Sequence, residues 1–158
     1  MVIRRLGVAA SAAAIVGLAA GSVGPALGSA GGAARDHQRT IRVLEITTEF
    51  HFVNTGPQGP SLGDVFVFSS KLMDDGKQVG HDGGVCTVTS FDNEELQCQA
   101  TAWFDAGQIT IQGLLPSAEQ TFTLPLTGGS GAYQGAEGEL HIHELSDTKS
   151  VLTFHLTD

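Results

Sequence analysis

From Ile41 to Phe52 the side chains alternate. Arg42, Leu44, Ile46, Thr48, Phe50 and Phe52 fall on one face, and Ile41, Val43, Glu45, Thr47, Glu49 and His51 on the other. A β-branched and aromatic run with period two predicts a strand. Hydropathy alone selects the face carrying Leu44, Ile46, Phe50 and Phe52 as the one turned to the core. The same signature predicts further strands over 65–72, 85–91, 96–104, 108–113, 120–126, 140–145 and 151–156. Turn-forming residues separate them: Gly56-Pro57 and Gly59-Pro60, Asp74-Asp75-Gly76-Lys77, the acidic run 92–95, Asp105-Ala106-Gly107, and 146–149. The segment 79–84 reads as a lead-in to the third strand, and 114–119 as a connector. No segment carries a helical period. Eight strands with short links predict an all-β fold, an eight-stranded antiparallel up-and-down β-barrel wide enough for side chains or one small ligand.

Between the sixth and seventh strands the pattern breaks at Leu126-Thr127-Gly128-Gly129-Ser130-Gly131-Ala132-Tyr133-Gln134-Gly135-Ala136-Glu137-Gly138. Neither a Gly-Lys-Ser/Thr ending nor a Gly-x-Gly-x-x-Gly is present, and a strand rather than a helix follows, so this is not a phosphate loop. The glycines predict a barrel corner, with Tyr133 as its one large side chain.

The N-terminus has a different character. Arg4 and Arg5 precede a small and apolar run over 6–20, and small residues close it near Ala30. This order describes a secretory signal peptide over 1–30, with an uncleaved anchor as the competing reading. The run is short for a membrane span, which needs about 20 residues. A glycine-rich, flexible lead-in over 31–40 and a barrel domain over 41–158 complete the organisation. The chain has 8 basic and 17 acidic residues, a net charge of −9. An acidic balance without basic clusters argues against nucleic acid and against anionic membrane surfaces as partners.

Cys86 and Cys98, the 2 cysteines, stand equidistant from Asp92. In a hairpin turning there they face each other, and in an oxidising compartment they form a disulfide. His141 and His143 share a strand face, with His155 or Glu139 available as a third metal ligand; the competing reading is a polar, solvent-facing strand. His81 and Asp82 read as a loop or as part of the barrel mouth, and Trp103 as packing.

Gly63-Asp64, Ser70-Lys71-Leu72, Val79-Gly80, Gly84-Val85-Cys86, Gly107-Gln108-Ile109, Gln112-Gly113, Thr127 to Tyr133 and Gly135-Ala136-x-Gly138 recur in an order that resembles the allene oxide cyclase and dirigent superfamily. The resemblance implies a trimeric eight-stranded barrel with an apolar pocket at one mouth and no metal or organic cofactor. Members steer the cyclisation or coupling of reactive intermediates. A glutamate on the first strand of the plant cyclases matches Glu45, which implies an acid/base role inside the barrel; the competing reading is a solvated carboxylate. The resemblance places Thr47 where an asparagine holds a water, Cys86 at a pocket cysteine and Leu115 near a pocket tyrosine. It also places Phe66, Phe68 and Ser70 along the pocket. The serine-proline pair of the plant enzymes has no match here, and a disulfide removes Cys86 as a free thiol. With Glu45 inside, Leu44 and Ile46 face outward, and a homotrimer interface would cover them.

These residues support a secreted cofactor-free cyclase or isomerase of a small apolar molecule. A dirigent-like guide without chemistry of its own and a structural protein with a filled barrel are the alternatives.

Overall fold

The computed structural model describes residues 38–57, 59–116 and 118–157. The signal peptide expected over 1–30 lies outside the described residues, as does most of the lead-in. Eight antiparallel strands close into a barrel in sequence order. They are β1 (Arg39–Val53), β2 (Val65–Asp74), β3 (Lys77–Ser90), β4 (Glu95–Phe104), β5 (Gly107–Pro116), β6 (Thr121–Gly129), β7 (Glu137–Ser146) and β8 (Lys149–Thr157). Each predicted strand is present, and most run longer than the hydropathy pattern suggests. β3 takes in the whole of 79–84, and β5 extends through the first half of the expected connector.

The core face of β1 is not the one that hydropathy selects. Ile41 and Val43 point inward and pack in the core. Leu44 and Ile46 point outward. The pairing with β2 then slips: Thr47 lies opposite Ser70, but Glu49 lies opposite Ser69 and Phe50 opposite Phe68. Thr48 is the extra residue of a β-bulge, its hydroxyl donating to the Ser69 carbonyl at 3.0 Å. One added residue reverses the inside–outside phase. Glu45 therefore faces the interior below the bulge, and Phe50 and Phe52 face it above. A strict period read across the bulge merges two different faces.

Inward residues stack in rows. Phe66, Cys86, Cys98 and Gly113 form one row; Phe68, Gly84, Ala100 and Ile111 the next; Ser70, Asp82, Ala102 and Ile109 the third. Below them the interior is filled by Leu72, Phe104, Leu140, Phe154 and Leu156. Phe154, Ile109 and Leu72 are fully buried, each contributing roughly 1.5–3 kcal/mol of transfer free energy.

The glycine corner seals the lower end. Tyr133 is buried, its ring 5.8 Å from that of Phe104, and the Arg39 guanidinium lies 5.0 Å over it. The Ala132 amide donates to the Ala106 carbonyl at 2.8 Å, strapping the corner to the β4–β5 turn. Gly107, at φ +148°, passes so close to the Ser130 carbonyl that a Cβ would collide with it.

At the opposite end Asp64 fastens the β1–β2 loop. Its carboxylate accepts from the Thr55 amide at 2.9 Å, the Ser61 amide at 2.6 Å and the Ser61 hydroxyl at 2.8 Å. The Asp64 carbonyl accepts from the Val88 amide at 2.9 Å, joining the loop to the end of β3.

Neighbouring strands pair over eight to ten residues except at β6, which meets β7 at five pairs and β5 at three. β5 and β6 pair only at Ile109–Gly129, Thr110–Gly128 and Ile111–Leu126. Above that point β6 contains Pro125, which has no amide to donate, and its ring packs on Gly113.

Candidate functional site

A cavity of about 80 Å³ lies within the barrel, lined by Glu45 from β1, Phe68 from β2, Asp82 and Cys86 from β3, and Cys98 and Ala100 from β4. Ile111, Leu115, Leu124, Leu140, Ile142, Leu152 and Phe154 complete an apolar wall. Above it a groove of about 520 Å³ opens at the mouth, lined by Phe52, Phe66, Val88, Phe91 and Leu96 and by the acidic residues Asp64, Glu94 and Glu95. The two spaces are lined by neighbouring rows of one interior. Phe66 bridges Phe50 and Phe52, with ring centroids 5.7 and 5.1 Å away.

Glu45 and Asp82 are the ionisable side chains of the cavity. The Ser70 hydroxyl donates to Glu45 Oε1 at 3.1 Å. Burial pushes the Glu45 carboxyl up to about 7. The charge of Asp82 adds to the rise, and the Ser70 and Ser150 hydroxyls oppose it. Asp82 is raised to about 6, again by burial, with hydrogen bonds to Ser70 and Glu45 pulling the other way. Two like charges side by side in an apolar wall do not ionise together readily, so a proton taken up near neutral pH is held by the pair, first on Glu45. Asp82 is 6% exposed, and its Oδ1 has no hydrogen-bond partner among the described residues.

Asp64 behaves oppositely. The Thr55 amide holds its carboxyl below the usual range against the effect of burial, and Ser61 adds to the lowering. That carboxylate serves the loop.

The structure brings together most of the residues singled out from sequence. Glu45, Phe68, Cys86 and Leu115 line the cavity, Ser70 bonds Glu45, and Phe66 lines the mouth groove. Thr47 sits opposite Ser70 and is half-buried, but its side chain is not part of the cavity wall. Its amide donates to the Thr148 carbonyl at 3.0 Å. Cys86 and Cys98 are directly opposed and joined by a disulfide across a separation of 12 residues. Cys86 therefore meets the cavity as half of a disulfide and not as a thiol. Closing a loop of this length contributes about 2–3 kcal/mol through the unfolded state.

Asp82 is the residue that sequence reasoning misplaced. Amid Gly80, Gly83 and Gly84 it reads as a loop, yet it is mid-strand and points inward. The usable signal was parity: Asp82, Cys86 and Val88 lie at even spacing on one face of an unbroken strand. Trp103 is outward and 52% exposed, stacked on His81 with centroids 5.5 Å apart. His141 and His143 are outward too. His141 Nε2 lies 3.2 Å from Glu139 Oε2, and its ring is 4.6 Å from that of His155. Among the described residues, no group of three His, Cys, Asp or Glu side chains is arranged to hold a metal ion.

A closed antiparallel barrel with an apolar interior and a few polar groups on its inner wall defines a small-ligand barrel. The family model described as allene oxide cyclase barrel like domain matches residues 44–156, and the chain belongs to that family. Among solved structures, a pyocyanin demethylase is 34% identical, with 75% of this chain and 100% of that chain covered at a TM-score of 0.70. An exo-specific intermolecular Diels-Alderase shares the fold at 14% identity, covering 77% of this chain and 98% of its own, TM-score 0.64. A pterocarpan synthase dirigent protein does so at 19% identity, covering 78% and 96%, TM-score 0.61.

Proposed function

We propose that the protein is an exported, cofactor-free catalyst that holds a small apolar molecule in the barrel and moves a proton on it. The reaction class is isomerisation or ring closure, with the wall setting the shape of the product. Glu45 is the acid/base group, and Asp82 and Ser70 tune it. The carrying observation is a carboxyl raised to about 7 at the wall of an apolar cavity, because a proton donor and acceptor is most effective when its pKa lies near the working pH. The disulfide accords with export into an oxidising compartment. Three copies would associate through outer strand faces, where Leu44 and Ile46 turn outward.

The test begins with native mass spectrometry of protein purified from its own source, to identify a retained molecule. Pyocyanin is the first added compound, given the identity with the demethylase. Glu45→Gln should still bind the compound that the wild type converts and abolish its turnover. A Glu45→Gln variant that turns over at the wild-type rate would move the function to a guide without chemistry.

A further inference from the structure

The inner cavity carries a second feature that an apolar substrate leaves unanswered. Asp82 is more than nine-tenths buried, lines the cavity, and presents Oδ1 without a partner among the described residues. A buried acceptor of this kind is costly to leave unpaired. Its neighbours on the wall supply no compensating charge: the other ionisable group is Glu45, and the remaining lining is apolar. The groove above has no basic side chain among its described lining residues and presents the rings of Phe52, Phe66 and Phe91. A cavity of about 80 Å³ admits a head group of a few heavy atoms, and the groove of about 520 Å³ has the size of a ligand body.

We infer that this interior is a binding site for an apolar molecule bearing a small cationic nitrogen head, with the head donating to Asp82 Oδ1 and the body lying among the phenylalanines of the mouth. The inference rests on the proposed ligand-binding barrel and narrows its ligand class. An ammonium or N-alkyl cation meets charge as well as hydrogen-bonding demand, and cations are also drawn to aromatic faces. A carboxylate-headed ligand meets repulsion from Glu45 and Asp82. The acidic balance of the whole chain, −9, acts in the same direction on approach.

Three probes with one body and different heads test this: 2-(aminomethyl)naphthalene, 2-naphthalenemethanol and 2-naphthoate, titrated calorimetrically at pH 8. The amine should bind at least about tenfold more tightly than the alcohol, as a charge-assisted bond in a dry site provides, and the carboxylate should show no binding. Asp82→Asn should reduce the amine's advantage to within about threefold and leave the alcohol unchanged. Glu45→Gln, measured in parallel, keeps the test open if Asp82→Asn does not fold; it too should shrink the advantage. Alcohol or carboxylate binding as tight as amine binding overturns the charge assignment and leaves the ligand-binding barrel standing. So does an amine preference that survives every variant that folds. Failure of all three probes overturns both.

Discussion

Above neutral pH Glu45 and Asp82 destabilise the barrel that holds them, and the sign of their pH dependence follows. Both carboxyls are raised above their ordinary values of 4.5 and 3.8, so over the interval up to about 7 the folded chain binds protons that the unfolded chain has released. Their contribution is most favourable below about pH 4 and is lost as pH rises through 6 to 7. Asp64, lowered by its hydrogen bonds, runs the other way: its contribution holds above its ordinary 3.8 and disappears as pH falls through the folded value. Replacing Glu45 by Gln removes one charge and supplies an amide that can donate to Asp82. At pH 8 the substitution should stabilise by roughly 2–3 kcal/mol, an increase in Tm of about 5–10 °C. At pH 5 the gain should nearly vanish. Thermal unfolding at the two pH values measures it, and an unchanged Tm at pH 8 would show that the pair carries no such strain. At this scale the sequence was half legible. Glu45 could be placed inside only by its resemblance to a family position, since hydropathy chose the opposite face. Asp82 was hidden because three glycines around it imitate a turn.

At two of those glycines, Gly80 and Gly84, aromatic side chains occupy the space that a Cβ would take. A Cβ built on Gly84 would lie 2.8 Å from Cζ of Phe68 and 2.6 Å from the Gln99 carbonyl oxygen. At Gly80 it would meet the Phe104 ring at 3.1 Å and run into the Trp103 carbonyl. Large rings laid over inward glycines restore the packing that the strand would otherwise lack. They also fix where the cavity wall stands. Gly84→Ala should therefore cost about 1–3 kcal/mol, as overpacking does, with the midpoint of urea unfolding as the readout. Gly84→Ala with Phe68→Ala should recover only part of that loss, because the Gln99 carbonyl cannot move aside as a side chain can. Full recovery would mean that the ring alone demands the glycine. The β1 bulge teaches the same lesson about elements. Strand existence was legible from alternation, but a single inserted residue, Thr48, leaves no compositional mark while changing which side chains are inside.

For the molecule as a whole, eight strands, their order and the closing corner were legible because hairpin links are short and each carries its own turn chemistry. The disulfide was legible from symmetry about Asp92. What alternation could not convey was the uneven strength of the wall. Six of the eight strand contacts in the ring are long, whereas β6 meets β7 at five pairs and β5 at three, the latter near the lower end. Leu115 and Leu124, which line the cavity, stand on either side of the part left unpaired. β6 is thus the sparsely bonded stave, and the consequence it predicts is a side entrance, through which a ligand would reach the buried carboxylates by parting β5 and β6. Amide hydrogen exchange should run well ahead over 112–116 and 121–125 compared with β3 and β4. It should slow there, more than elsewhere, once a ligand occupies the cavity. Uniform protection around the ring would leave the mouth as the sole way in.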